Sequence, residues 1–300
     1  SAALYPAGHP YSWLTIGSHE DLTAASMEDV HNFFRRWYGP NNATLAIGGD
    51  VDPDEVAVLV EKYFGSIPRG PDVAMPGYRP TRLAQDVRVV IEDTVNKPEL
   101  AMAWPSAPMN HADEAALMML ASILSANRAS ILDRALTVDE TLASFITASQ
   151  DSSELAGEFH VRVRPVDGVT LDQLEQRIKE LIAKLDKDGV DAEQLQRLQN
   201  SYEAGTINGY ETVWRRTNAL AEANVYQRDP AKATEQLERV MAVTPADVER
   251  VLKTYIIDEP AVHVSTVPEG NLNMAASGRT PEQVAAEIAS MLDELRRSGS

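Results

Sequence analysis

Six histidines are the side chains best suited to metal or acid–base chemistry: His9, His19, His31, His111, His160 and His263. No two of them stand four apart, so no helix can present two imidazoles to one metal ion. The nearest approach to a ligand set is His19 and Glu20 with His31. Twelve residues separate those histidines (31 − 19 = 12) across a change from loop to helix, and a solvated surface is the default reading. Glu158 and His160 share one face of a strand. They read either as a surface cross-strand pair or as a contact for a peptide lying in a cleft. The sequence has no Gly-x-Ser-x-Gly elbow for a nucleophilic serine. Gly48-Gly49-Asp50 lacks the lysine of a phosphate-binding loop and reads as a turn. Trp13, Trp37, Trp104 and Trp214 are scattered and read as core. Residue by residue, no self-sufficient catalytic constellation emerges. The sequence assigns no catalytic residue and no metal ligand, and it leaves substrate-binding residues unassigned.

The elements that would position such residues are easier to read. Ser26 to Asp50 is a capped helix, a Pro-Asn turn and a buried strand at Ala43 to Ile47. Ser26 with Asp29 supplies the cap, and Val30, Phe33, Phe34 and Trp37 form the apolar face. Thr244 to Pro268 lays on that stretch without a gap at an offset of 218 (244 − 26), with its own cap (Thr244, Asp247), apolar face (Val248, Val251, Leu252, Tyr255) and strand (Ala261 to Val264). The match suggests two related domains of roughly 200 residues, the first without its beginning. Asp52-Pro53 opens a further helix with Val56, Leu59, Val60 and Tyr63 inward. Residues 66–86 hold Pro68, Pro71, Pro76, Pro80 and two glycines, and read as a linker.

Beyond it, strands are expected at Val87 to Ile91, Leu100 to Trp104, Leu142 to Ala148 and Leu155 to Arg164, the last with Phe159, Val161 and Val163 on one face. Helices are expected at Asp113 to Ala126, Ser130 to Leu136, Thr170 to Lys187, Asp191 to about Tyr226 with interruptions, Lys232 to Val240, and Thr280 to Arg297. Strands before and after blocks of helices indicate an α+β fold, a mostly antiparallel sheet with helices packed on one face.

Composition narrows the function classes. The net charge of −18 repels nucleic acid and anionic membranes, so neither is an expected partner. No apolar run reaches the length of a membrane span. With no cysteine, disulfides and thiol chemistry are excluded. The chain starts Ser-Ala, without Met or a signal peptide, which fits a trimmed start.

The first 66 residues resemble the M16 zinc metallopeptidases, the family of pitrilysin, insulin-degrading enzyme and mitochondrial processing peptidase. The residues that carry this are His9-Pro10-Tyr11, Ile16-Gly17-Ser18, Asp29-Val30, Tyr38-Gly39-Pro40-Asn41-Asn42-Ala43, Gly49-Asp50-Val51-Asp52-Pro53 and Glu61-Lys62-Tyr63-Phe64-Gly65. Residues up to about 270 are similar to the family's second domain, more weakly, through Ser130 to Ser144, Gly189 to Leu198, Val243 to Val251 and Val267-Pro268-Glu269.

The resemblance implies an M16-type fold (LuxS/MPP-like) divided as follows. Residues 1–66 close an incomplete first domain, 67–86 link, 87–270 form the second domain, and 271–300 are a connector with an amphipathic helix. It implies a zinc-dependent metalloendopeptidase that degrades or processes peptides inside a clamshell of two halves. Zinc would be held by an inverted HxxEH helix and a later glutamate, whose glutamate between the histidines is general base. In the family these precede the His-Pro-Tyr segment. Subtracting the offset from Val87 (87 − 218 = −131) puts the first domain's start about 130 residues upstream, so no zinc ligand is carried over to this chain. The family's substrate-gripping half carries Arg and Tyr in a segment like LRxxxxLGY. Here that run is Leu136 to Ser144, with Thr137 and Ser144 at those positions. The chain therefore resembles the zinc-bearing half, taken alone inactive; the alternative is a non-catalytic subunit with a structural or substrate-holding role. Implied partners are a peptide or unfolded polypeptide and a second M16 half or subunit. The family favours a periplasmic or otherwise exported bacterial protein, with the cytoplasm as the alternative. Residues 1–66 are expected to expose apolar surface that upstream strands would cover.

Overall fold

The computed structural model describes residues 2–74 and 77–276. In chain order its regular elements are α1 (His19–Ala24), α2 (Met27–Trp37), α3 (Pro53–Phe64), β1 (Val87–Asp93), β2 (Glu99–Ser106), α4 (Glu114–Ser125), α5 (Ile131–Asp133), β3 (Ala143–Ser152), β4 (Gly157–Pro165), α6 (Leu171–Asp188), α7 (Ala192–Gly209), α8 (Val213–Gln227), α9 (Glu235–Met241), α10 (Pro245–Tyr255) and β5 (Val262–Pro268). A π-helical turn, Arg134–Asp139, continues α5. The expected helix at Thr280 to Arg297 lies outside the described residues. No helix among the described residues is long and apolar enough to cross a membrane.

The chain forms two compact units. One contains residues 2–13, 78–199 and 242–276; the other contains 14–77 and 200–241. This partition interleaves the sequence, whereas the sequence alone suggests divisions at 66 and 86. Two sets of residues account for the difference. Leu4 and Tyr5 are buried with Ala156 and Val262 in the first unit. In the second, Asn224 Nδ2 donates to Thr44 Oγ1 at 2.8 Å, tying α8 to the early segment.

The first unit holds a five-stranded sheet in the order β1-β5-β2-β4-β3. β1 and β5 are parallel; the other neighbouring pairs are antiparallel. Register puts Leu100 opposite Val163, Met102 opposite Val161 and Trp104 opposite Phe159. All six are buried, and they form the centre of the core. On the same face Ile146 and Ala148 of β3 pair with Val163 and Val161. Leu117, Leu120, Ile123 and Leu124 of α4, Leu174, Ile178 and Leu181 of α6, and Val248, Val251 and Leu252 of α10 supply the other half of that core. The expected α+β layering is thus present.

Local chemistry sets the helix ends. Thr170 accepts from Gln173 N–H, and Gln173 accepts from Thr170 N–H, closing a capping box on α6. Gly189 ends that helix at φ 81°, a conformation open to glycine. Ser26/Asp29 and Thr244/Asp247 cap α2 and α10 in the same reciprocal way.

The two capped helices, however, lead into different structure. Val262–Pro268 is a full sheet strand, but Ala43 to Ile47 is not a strand. It runs as unladdered chain, with Thr44 bonded to Asn224 and Gly48 so close to Val213 and Thr217 that a Cβ would collide. A strand is defined by its neighbour, and none lies beside this segment among the described residues. The side chains meant for a core are correspondingly open: Phe33 is 52%, Phe34 51%, Leu45 56% and Ile47 49% exposed.

Gly157 begins β4 where a Cβ would overlap the Ala107 carbonyl oxygen. Gly157→Ala should therefore lower stability by about 3 kcal/mol in denaturant unfolding. Gly205→Ala, inside α7 with no atom within 4 Å of the added methyl, should be neutral or slightly stabilising. Equal effects of the two would contradict the packing at Ala107.

Candidate functional site

Alternation along β4 sends Phe159, Val161 and Val163 to the core and Glu158, His160, Arg162 and Arg164 to the opposite face. That second face is polar. Glu99 of β2 pairs with Arg162 at 2.6 Å and with Arg164 at 2.7 Å. Glu158 Oε2 lies 2.8 Å from His160 Nε2, and Asp151 of β3 approaches the same nitrogen at 3.6 Å. The shared face read for Glu158 and His160 is present, and the two side chains meet along the same strand.

A neighbour that the sequence does not signal is Tyr5, whose phenol interacts with the Glu158 carboxylate. Tyr5 is buried and stacks on His9 at 4.6 Å between ring centroids, with Tyr11 edge-on at 5.5 Å. Tyr11 in turn accepts from the Leu155 N–H at 3.1 Å. The His-Pro-Tyr segment thus anchors the N-terminal residues onto the sheet. Burial works against charge on Glu158, but the hydrogen bonds from His160 and Tyr5 outweigh it and hold the carboxyl below its usual range. Burial, then the Glu158 charge, push the Tyr5 phenol up. The cluster can hold a charge and orient hydrogen bonds. It contains no activated nucleophile.

A second ionic cluster lies on the helix-covered face. Arg88 of β1 grips Glu175 of α6 with both guanidinium nitrogens at 2.6 and 2.8 Å, and Lys179 adds a third contact at 2.8 Å. Burial would raise the Glu175 carboxyl, but these partners push it down to about 2. His263 of β5 stands beside it, Nδ1 at 3.4 Å from Glu175 Oε1. Burial holds its imidazole below the usual value, toward the neutral form.

His19, Glu20 and His31 sit exposed on α1 and α2. Among the described residues no group of three or more His, Cys, Asp or Glu is placed to hold a metal ion. The described residues therefore do not fit zinc, and no chemical step through zinc is derived from them. Thr137 and Ser144 are spent locally. Thr137 Oγ1 donates to the Asp133 carbonyl at 2.6 Å, and Ser144 Oγ to the Pro165 carbonyl at 3.1 Å.

The family model of the Peptidase M16 inactive domain matches residues 24–202, more than half of the chain. The chain belongs to that family. It is 27% identical over 265 residues to the zinc protease PqqE of Helicobacter pylori, covering 87% of this chain and 59% of that protein. To an uncharacterized zinc protease of Mycobacterium leprae it is 27% identical over 214 residues, covering 70% and 47%. Against these two curated relatives the chain spans only about half to three fifths of their length. Among solved structures, a protease from Helicobacter pylori superimposes with a TM-score of 0.77 at 24% identity, covering 89% of this chain and 64% of that one. A peptidase M16 inactive domain from Pseudomonas fluorescens gives 0.73 at 16% identity, covering 89% and 63%. These two likenesses establish the fold.

Two titrations follow from the clusters. Tyr5→Phe removes the phenol hydroxyl that favours the charged Glu158, so the Glu158 carboxyl pKa should rise toward its ordinary value, as read by carbon NMR of the carboxyl groups. Glu175 has a folded pKa near 2 against an ordinary 4.5. Its stabilisation is complete above about pH 4.5 and drains away as pH falls toward 2. Glu175→Gln should accordingly flatten the acid limb of the stability curve measured by urea unfolding across that window.

Proposed function

We propose that this chain is part of a zinc-dependent metalloendopeptidase of the M16 type, its catalytic zinc supplied by a segment outside the chain. The carrying observation is the open apolar surface of α2 together with Ala43 to Ile47. A stretch bearing the family's Tyr-Gly-Pro-Asn-Asn-Ala motif leads into chain with strand composition and, among the described residues, no strand neighbour. Such a segment is suited to receive strands from elsewhere. On this reading residues 1–66 complete a first domain, 87–270 form a second, and 67–86 connect them. A second M16 half or subunit would close over an unfolded peptide. The polar face around Glu158 and His160 would then offer hydrogen bonds to such a peptide, contributing binding and orientation.

A second reading is a non-catalytic subunit. It is supported by the family's description as an inactive domain. Further support is a fold likeness, TM-score 0.72 at 17% identity over 88% of this chain, to a structure described as Complex III2 from Candida albicans.

The gene sequence and one assay separate the two. An HxxEH helix about 80 to 100 residues before His9, with zinc and peptide turnover in the longer product, is the result expected for the enzyme. The 300-residue chain alone should hold no stoichiometric zinc and cleave no quenched fluorogenic peptide. A longer product without the motif establishes the second reading, and zinc-dependent turnover by the 300-residue chain alone overturns the first.

A further inference from the structure

The first unit contains a cavity of about 430 Å³ that neither the M16 assignment nor the polar sheet face uses. It lies between the middle of α6 and the segment joining α10 to β5. Trp104, Ile182, Ile256 and Pro260 give it apolar walls. Asp86, Asp258 and Glu259 also line it, with Lys179 as the cationic side chain among the lining residues. That lysine is already engaged with Glu175 at 2.8 Å. The lining is therefore apolar with a surplus of negative charge.

His263 decides what the cavity accepts. Only 2% of the residue is exposed, yet it reaches the cavity wall. Its Nδ1 is turned to Glu175 Oε1 at 3.4 Å, away from the cavity, and its Nε2 stands 3.6 Å from Asp86 Oδ2 on the wall, just beyond hydrogen-bond reach. Among the described residues Nε2 makes no hydrogen bond, so it is the nitrogen left to meet a ligand group at the wall. A neutral imidazole beside an unneutralised carboxylate can accept hydrogen bonds from a cation. With its N–H turned to the Glu175 carboxylate, the imidazole leaves Nε2 as an acceptor, and beside Asp86 it disfavours an anion. Asp86 is held in place, since its Oδ1 accepts from the Ala261 N–H at 3.0 Å.

We propose that this cavity binds a primary ammonium group carried on an apolar body, the ammonium seated between Asp86 and His263 and the apolar part against Trp104, Ile182 and Pro260. Two sources share that chemistry, a free small amine and the lysine side chain of a peptide. The volume of about 430 Å³ is sufficient for such a group.

The test uses the 300-residue chain with phenethylamine, with Nα-acetyl-lysine methylamide, and with phenylacetate as a body of the same size and opposite charge. Binding is followed by calorimetry and by the His263 imidazole resonances. The expected result is saturable one-to-one binding of at least one ammonium probe, a shift of the His263 signals, and no binding of phenylacetate. Asp86→Asn keeps the acceptor for Ala261 and should weaken the ammonium probe about tenfold. His263→Gln, with its fold checked by circular dichroism, should also weaken it. Preference for phenethylamine assigns a free amine, and preference for the lysine derivative assigns a peptide side chain. Absence of saturable binding by both, equal binding of phenylacetate, or an affinity unchanged in Asp86→Asn overturns the proposal.

Discussion

The alternation of β4 is the constraint on which the first unit depends. Phe159, Val161 and Val163 must all face the helices, so Glu158, His160, Arg162 and Arg164 must all face away. A one-residue slip against β2 would bury two arginines and a histidine and expose the centre of the core. Core and candidate site are therefore two sides of one register. Glu99 reinforces it from β2 by reaching both Arg162 and Arg164. Such partly exposed pairs add little energy each, but they are available in only one alignment.

Features set within a few residues were legible in the sequence. The capping boxes at Ser26, Thr170 and Thr244 are formed as their spacing implies, because each needs only a hydroxyl and an acceptor three residues later. The alternating strand, the stop at Gly189 and the shared face of Glu158 and His160 are local in the same sense. Strand existence is another matter. Ala43 to Ile47 has the composition of a strand, but hydrogen bonding to a neighbour is not a property of a segment by itself. The likeness between the two stretches holds for the capped helix and fails where a partner strand is required.

The candidate site divides along the same line. Tyr5 and Glu158 are 153 residues apart (158 − 5), and no periodicity links them. The His-Pro-Tyr segment reads as a loop; its role in anchoring the chain start over the sheet appears only when Leu4, Tyr5, His9 and Tyr11 are seen together. Arg88, Glu175 and His263 likewise come from two strands and a helix far apart in sequence. Each is unremarkable in its own segment.

The place of β5 has a consequence for how the chain comes to order. It lies between β1 and β2, although β2 follows β1 directly along the backbone and β5 arrives some 170 residues later (262 − 93 = 169). On a ribosome, β1 would thus emerge with no mate on either side. β2 and the β3–β4 hairpin could assemble early, with β2 presenting a bare margin. Closure would wait for Val262–Pro268, a long loop search of the kind that slows folding. During that interval the nascent chain offers an unpaired margin to whatever else is nearby, and the burden of guarding it passes to chaperones or to rapid completion of synthesis.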